Sequence, residues 1–475
     1  MLPNIRFGTD GWRGIIAAEF TVDRLRQAAA AAAEILADTY GPRDGVIWVG
    51  YDRRFLGVRF AQVVAEAIRD VGLTARPADR PAPTPAFSYL ASATGALGAL
   101  VVTASHNPPE YSGLKVKGAF GGSVPSDVTQ AIEARLAQGL PPQRPAGRIL
   151  EPVNPWPAYV AALQAQVDIP ALHAALASGT WQVTAEVMHG VAATGLDQIL
   201  GEGLIEEVND RPDPMFGGFP PEPLPQYLAA TIQQLRQAEG DPEHRLALVF
   251  DGDADRIAAL DGEGNFLSPQ VLIPVLIDHL AGRRGLTGAV VKTISGSELI
   301  RRVAESHQCP LYETPIGFKY IAERMLTETV LLGGEESGGI GYGHFLPERD
   351  ALLSALYLLE AVTQSGQSLP SLYRDLQVRT GLTTVYCRRD VHLTQPGARE
   401  TLLNRLATAP PNPVAGRPVL HLQDGDGYKF MLDRQAWLLI RFSGTEPLLR
   451  LYAEAATPTE VDELLTWAET WAAAA

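Results

Sequence analysis

Three aspartates alternate in Asp251-Gly252-Asp253-Ala254-Asp255, and Arg256 closes the run. Just before it, Leu246-Ala247-Leu248-Val249-Phe250 is a short apolar stretch of the kind that forms a buried strand. Carboxylates packed this closely repel one another, so a fold keeps them together where a cation sits among them. All-oxygen ligands suit a hard ion, Mg²⁺ ahead of Zn²⁺. The chemistry implied is a metal site at the carboxyl end of a strand, with Arg256 placed to hold an anion such as a phosphate beside it.

Competing readings of the acidic loop fail on particular residues. An EF-hand loop needs Gly at its sixth position and Glu at its twelfth, where this chain has Arg256 and Gly262. A phosphatase of the haloacid dehalogenase type also places D-x-D after a strand, but Asp255 stands where its usual Thr or Val would be. A merely solvated acidic turn does not ordinarily follow a core strand.

A second stretch, Val101-Val102-Thr103-Ala104-Ser105-His106-Asn107-Pro108, runs a buried strand into a turn fixed by proline. It leaves Ser105 at the strand's end, where a hydroxyl can serve as nucleophile. His106 follows directly, and adjacent side chains on extended chain point apart. A structural or phosphate-contacting role for His106 is therefore preferred to that of a base for Ser105. Two further stretches gather polar groups: Gly334-Glu335-Glu336-Ser337-Gly338 and Arg441-Phe442-Ser443-Gly444-Thr445-Glu446-Pro447.

Together, and in this order along essentially the whole chain, these four stretches resemble the α-D-phosphohexomutase family. T-A-S-H-N-P is similar to its phosphoserine loop, D-G-D-A-D-R to its metal loop, G-E-E-S-G to its sugar loop and R-F-S-G-T-E-P to its phosphate loop. The opening Phe7-Gly8-Thr9-Asp10-Gly11-Trp12-Arg13-Gly14 looks like the family's N-terminal signature. The resemblance implies three α/β domains and a smaller C-terminal α+β domain around a central cleft. The corresponding spans are 1–150 (phosphoserine loop), 151–263 (metal loop), 264–366 (sugar loop) and 367–475 (phosphate loop).

The resemblance also implies roles. Ser105 carries a phosphoryl group, and Mg²⁺ sits between that group and Asp251, Asp253 and Asp255. Phospho-Ser105 passes its phosphoryl group to a sugar hydroxyl, the resulting hexose 1,6-bisphosphate turns end for end, and the other phosphate returns to Ser105. The bisphosphate is thus also the activator and phosphoryl donor. Arg256 steadies the group in transfer. Lys115, in Tyr111-Ser112-Gly113-Leu114-Lys115, joins Arg13 and His106 as candidates for the general acid/base. Glu335 and Ser337 match residues that bind the sugar O3 and O4. Gly317 and Lys319 lie in Thr314-Pro315-Ile316-Gly317-Phe318-Lys319, similar to another cleft loop. Arg441, Ser443, Gly444, Thr445 and Arg450 offer a fork of donors for the distal phosphate.

Two positions depart from the family pattern. Ser112 stands where many relatives have Asn, and Gly339 where many have His, with His344 five residues further on as its substitute. The E-E-S form of the sugar loop looks more like glucose-type mutases than the glucosamine type, which usually has Gln before Ser. Glucose phosphate is the favoured substrate, with mannose phosphate second. A hexose bisphosphate synthase that releases the intermediate, or a phosphoglucosamine mutase, would use the same parts. A phosphatase would leave the serine and sugar loops unexplained, and a catalytically dead binding protein would be expected to have lost Ser105 or one of the aspartates.

The elements that must position these loops alternate. Residues 21–40 form an alanine-rich helix after a Thr21 cap, 46–49 a strand, 58–71 a helix and 97–102 a strand. Residues 181–187 form a strand, a helix lies near 191–203, and Gly288 to Lys292 is a strand. The pattern predicts an α/β chain with mainly parallel sheets. Proline-rich stretches mark a linker at 141–157, a long loop at 212–225 and a joint at 409–413. Ala351 to Val362 reads as a core helix.

Composition is that of a globular protein, 46% hydrophobic and 20% charged, and 475 residues suggest about three domains from length alone. The net charge of −15 argues against nucleic-acid and acidic-membrane partners, leaving a small-molecule sugar phosphate. No apolar run is long enough to span a bilayer, Met1 to Arg6 lacks a signal-peptide core, and two distant cysteines, Cys309 and Cys387, suit a reducing cytoplasm. Nothing in the sequence separates a monomer from a dimer.

Overall fold

The computed structural model describes residues 5–8, 10–42, 45–139, 146–393, 397–433, 435–443 and 448–473. The strands fall in chain order into four sheets. The first holds β1 (Trp12–Ile15), β2 (Val46–Tyr51), β3 (Thr74–Pro77), β4 (Gly98–Val102), β5 (Tyr111–Gly118) and β6 (Arg148–Ile149), in the order β1-β5-β4-β2-β3-β6. The second holds β7 (Gln182–Glu186), β8 (Glu206–Val208), β9 (Arg245–Phe250), β10 (Ile257–Asp261) and β11 (Phe266–Leu267), ordered β11-β10-β9-β7-β8. The third holds β12 (Ala289–Thr293), β13 (Leu311–Thr314), β14 (Val330–Gly334), β15 (Ile340–Tyr342) and β16 (Leu346–Arg349), ordered β13-β12-β14-β15-β16. The fourth holds β17 (Val385–His392), β18 (His421–Gln423), β19 (Tyr428–Met431), β20 (Trp437–Phe442) and β21 (Leu448–Ala455), ordered β17-β21-β20-β19-β18.

The first three sheets are mixed and the fourth is wholly antiparallel, where strand–helix alternation predicts mainly parallel ones. Strands joined through helices pair in parallel, as in β4-β2-β3 and β13-β12-β14. Strands joined by short loops can pair only antiparallel. The serine, aspartate, sugar and phosphate loops are each such a short connection. The serine loop joins β4 to β5, with Val102 paired to Leu114 at its mouth. The aspartate loop joins β9 to β10, flanked by Phe250 and Ile257. Glu335 to Gly339 joins β14 to β15, flanked by Gly334 and Ile340. Ser443 opens the connection from β20 to β21, flanked by Phe442 and Leu449.

The core is built as the pattern suggests. The helix Val22–Tyr40 starts where Thr21 accepts from the Arg24 N–H at 3.4 Å, and Ala28 to Ala33 are all buried, small enough to let the helix lie close on the sheet. The apolar helix Ala351–Ser365 is a core helix, buried from Ala351 to Val362 and capped by Asp350, which accepts from the Leu353 N–H at 2.9 Å. Among the described residues no single helix is long and apolar enough to cross a membrane. The helix expected near 191–203 is only Gly195–Leu200.

The proline-rich stretch 141–157 does more than link. Residues 140–145 lie outside the described residues. Beyond them, Arg148 and Ile149 pair with Thr74 and Ala75 as an edge strand of the first sheet. Val153 bridges to Ala78, and the next helix begins at Trp156, with Pro157 in its first turn, where a missing N–H costs nothing.

Candidate active site

Ser105 is fully buried and holds φ at 52°, in the left-handed region. That backbone turn corrects the expectation that the Ser105 and His106 side chains diverge: Ser105 Oγ lies 3.2 Å from His106 Nδ1. The hydroxyl donates to Asp251 Oδ2 at 2.8 Å, which joins the serine loop of the first sheet to the aspartate loop of the second. Burial, followed by the fields of Arg256, Arg13, Lys115 and Arg54, holds His106 well below the usual imidazole range, so it is neutral. Arg13 donates to Asn107 Oδ1 at 2.5 Å and so stands over the same loop.

The loop's unusual backbone is held by a residue the motifs do not include. Arg54 Nη2 donates to the carbonyls of Ser105 and Asn107, each at 2.6 Å, and Nη1 to those of Pro108 and Tyr111 at 2.8 and 3.1 Å. Its Nε lies 3.3 Å from Asp52 Oδ2, and both side chains are buried. Replacing Arg54 by Met leaves four carbonyls and a carboxylate without their partner. Unfolding in urea should show a loss of about 3–5 kcal/mol, the cost of breaking a buried ion pair by removing one member.

The three aspartates are completely buried. Asp251 Oδ1 accepts from the N–H groups of Asp255 and Arg256 at 3.0 and 3.1 Å, which curls the loop around its own first side chain. Ala254 completes the curl at φ 56°. Gly252 is required because a Cβ there would stand 2.7 Å from the Ser105 carbonyl oxygen. The Thr84 hydroxyl donates to Asp253 Oδ2, and the Thr84 N–H donates to the Asp253 carbonyl at 3.0 Å, stitching the loop to the first unit.

This set fits Mg²⁺. One carboxylate oxygen from each aspartate lies within 4.8 Å of the others. Asp253 Oδ1 and Asp255 Oδ1 are buried with no hydrogen-bond partner, a state costing about 1–3 kcal/mol per group unless something ligates it. Burial, then repulsion from Asp255 and Asp253, pushes the Asp251 carboxyl well above the usual carboxylate range. Such mutual repulsion is what a divalent cation relieves.

Lys115 and Lys117 sit two apart on β5 and are both buried. Lys115 Nζ lies 2.7 Å from Asp10 Oδ2, 2.8 Å from Asp253 Oδ2 and 2.5 Å from Asp255 Oδ2. Burial disfavours its charge, but these carboxylates outweigh burial and raise its pKa, so it is a firmly charged ammonium. Lys117 pairs with Asp10 at 2.9 Å and with Glu348 at 2.6 Å.

Arg349, also outside every motif, joins three units. Its Nη2 pairs with Asp10 and, at 2.7 Å, with Asp255 Oδ2, and its Nη1 lies 3.9 Å from Glu335 Oε2. It also fills the space over Gly339, where a Cβ would overlap its side chain. The histidine expected to substitute at that position does not do so: His344 Nε2 is 2.8 Å from the Tyr357 hydroxyl, packed between Tyr342 and Tyr357.

The sugar loop closes against the aspartate loop, since the Ile257 N–H donates to the Gly338 carbonyl at 3.0 Å. Glu335 is buried and Ser337 half-buried at the turn. Glu335 Oε1 accepts from the Gly317 N–H at 3.0 Å, so the two glycine loops of this unit are one surface. Gly317 has φ 132°, open to glycine. Lys319 points to the first unit, donating to Ser126 Oγ at 2.8 Å. In the fourth unit, Arg441 Nε donates to Asp426 Oδ1 at 2.9 Å, and Asp426 Oδ2 accepts from the Ile316 N–H at 2.7 Å. Ser443 is buried, its carbonyl held by Arg399 at 2.8 Å. Arg450 pairs with Arg441 in register across β20 and β21. Gly444 and Thr445 lie outside the described residues.

Four loops from four sheets thus join in one chain of contacts, and the same four stretches match known proteins. Profiles described as phosphoglucomutase/phosphomannomutase alpha/beta/alpha domains I, II and III match residues 4–141, 157–264 and 268–379, and the C-terminal domain profile matches 408–466. The chain belongs to the phosphoglucomutase/phosphomannomutase family. A phosphoglucosamine mutase of Frankia casuarinae is 30% identical over 474 residues, covering 95% of this chain and 94% of its own. A phosphoglucomutase/phosphomannomutase of Thermococcus kodakarensis is 26% identical, covering 97% and 96%. Among solved structures, one assigned as a phosphomannomutase of Thermus thermophilus superposes with a TM-score of 0.85 at 34% identity over 99% of each chain. Family membership makes the chain an enzyme of the phosphohexomutase type, and the relatives differ in the hexose they name.

Proposed function

We propose that this phosphohexomutase interconverts glucose 1-phosphate and glucose 6-phosphate, with mannose phosphates as second substrates. Its units divide at 1–150, 151–263, 264–366 and 367–475. The observation that carries the reading is Ser105 Oγ held 2.8 Å from Asp251 Oδ2, a nucleophile on a metal-type loop. In the first half-reaction the bond from phosphorus to Ser105 Oγ breaks and one to the free sugar O1 or O6 forms; in the second, the bond from the other phosphorus to its sugar oxygen breaks and one to Ser105 Oγ re-forms. In each, the attacking hydroxyl loses a proton and the leaving oxygen gains one, so a proton passes from the sugar to Ser105 Oγ and back. His106, neutral and beside Oγ, is suited to handle that proton. Lys115, locked in its charged form, neutralises the carboxylates instead. Mg²⁺, held by Asp251, Asp253 and Asp255, supplies a Lewis acid for the phosphoryl oxygens when bound. Arg13 and Arg256 flank the phosphoryl group, and Glu335 and Ser337 take hydroxyls common to both orientations of the bisphosphate. Arg441, Arg450 and the loop from Ser443 through Gly444 and Thr445 take the distal phosphate.

A second reading, a phosphoglucosamine mutase, is favoured by the name of the Frankia relative. Rates on glucose, mannose and glucosamine phosphates, each with Mg²⁺ and the matching bisphosphate, decide between them. Highest kcat/KM on glucose phosphates supports the first reading, and highest on glucosamine phosphates replaces it.

The sugar loop carries its own pH signature. Burial lifts the Glu335 carboxyl to about 7, against the pull of Arg349 and Arg256. Below that pH it is neutral, and above it an anion that accepts more strongly from sugar hydroxyls. KM should therefore fall several-fold as pH rises from about 6 to 8, and Glu335→Gln should flatten the profile.

A further inference from the structure

The fourth unit meets the third through contacts of different character. At the base the contact is buried. Glu454, with no exposed surface, accepts from Ser297 Oγ and the Glu298 N–H of the third unit and from Thr384 Oγ1 and Trp437 Nε1 of the fourth. Lys429 adds a donation to the Ile294 carbonyl at 2.7 Å, and Ile294, Trp437, Leu439 and Tyr452 form an apolar cluster across the boundary. On the cleft side the Ile316 N–H donates to Asp426, and an ion pair exposed mainly on its arginine stands beside the sugar loop: Arg388 Nη1 lies 3.8 Å from Glu336 Oε1.

That pair joins the sugar loop to the sheet that carries the phosphate loop. Glu336 neighbours Glu335 and Ser337 in the sugar loop, and its Oε2 accepts from Ser295 Oγ at 2.9 Å, so its carboxylate is turned away from a sugar and toward the unit boundary. On the other side, Arg388 forks onto Asp390 at 2.8 and 2.6 Å and lies over the Tyr452 ring. Asp390, Arg450 and Arg441 are register partners across β17, β21 and β20, a row that ends beside Ser443. Arg388 is thus fixed to the strands that carry the phosphate loop.

We propose that Arg388 and Glu336 form a latch that sets how far the phosphate-binding sheet stands from the sugar loop, making Arg388 a positioning residue for the reaction. The inference rests on the phosphohexomutase reading, but the latch itself is a property of the unliganded chain. A latch that favours the closed arrangement lowers the cost of closure for ground state and transition state alike, so its loss appears in KM and not in kcat.

The test is a double-mutant cycle on the full chain with Arg388→Ala, the near-isosteric Glu336→Gln and the pair together, with Arg388→Lys as the conservative variant. Steady-state kinetics on the preferred hexose phosphate are combined with small-angle scattering of the ligand-free proteins. Expected are a KM raised about tenfold in each single variant, kcat within about twofold, a double variant no worse than either single, and much of the loss recovered by Arg388→Lys. The radius of gyration should rise in Arg388→Ala and in Glu336→Gln alike. Single effects that multiply in the double variant, or a fall in kcat at constant KM, would overturn the latch. So would a radius of gyration unchanged in both single variants. If the unaltered chain turns over no hexose phosphate, the functional reading fails while the scattering comparison still decides the latch. If Arg388→Ala does not fold, Glu336→Gln alone carries the same kinetic and scattering expectations.

Discussion

Ser105→Ala should reduce turnover by on the order of 10⁴-fold or more while leaving the fold intact. The size follows from the chemistry: without an oxygen at this position no phosphoenzyme forms, and what survives is substrate binding without a phosphoryl donor. The small effect on stability follows from the geometry. Ser105 is buried, but among the described residues its hydroxyl bonds only to Asp251 and His106, and the loop is held by Arg54 through backbone carbonyls that alanine retains. Losing one hydrogen bond costs about 1 kcal/mol, so urea unfolding of the variant should stay close to that of the unaltered chain. A rate loss accompanied by unfolding would instead mean that Ser105 is structural.

The second large effect is removal of the metal. Stripping Mg²⁺ with a chelator should cost several kcal/mol of transition-state stabilisation, which is on the order of 10³-fold in rate, and returning Mg²⁺ should restore it. Asp253→Asn should produce a loss of similar size that excess Mg²⁺ does not repair. Asp253 offers both the orphaned Oδ1 and an Oδ2 shared with Lys115 and Thr84, so the amide removes a ligand oxygen and places an N–H₂ donor against donors. Titration of activity against Mg²⁺ for both proteins checks this. A variant that reaches the unaltered rate at high Mg²⁺ would show that Asp253 is dispensable as a ligand.

Why the motifs are readable and their supports are not is a matter of sequence distance. The serine, aspartate and sugar loops are local: each is a few consecutive residues at the end of an apolar strand, and all three meet in the structure. Arg54, Asp10, Thr84 and Arg349 reach the same loops from elements far along the chain, as in the contacts Arg54–Ser105 and Arg349–Asp10, whose sequence separations are 51 and 339. Two of the buried supports leave signals in the sequence. Asp52-Arg53-Arg54 follows a buried strand directly, as the aspartate loop does, and charged residues at such a position are seldom idle. Lys115 and Lys117 alternate within an otherwise apolar strand, which places both on one face and demands buried acids opposite. The antiparallel hairpins escape a reading based on strand–helix alternation, which suggests crossovers everywhere, although the loops themselves are too short for one. Arg349 has no local sign of its own. Its place over Gly339 emerges only when β16 folds back beside β15.

The central claim is that phosphate passes through Ser105, and its most direct test is phosphopeptide mapping. The purified chain is incubated with Mg²⁺ and a hexose 1,6-bisphosphate, mapped, and then challenged with the hexose monophosphate. One phosphate on Ser105, discharged to the monophosphate with formation of bisphosphate, is the predicted result. A phosphate that maps to Asp251, or one on Ser105 that the monophosphate cannot remove, would contradict it.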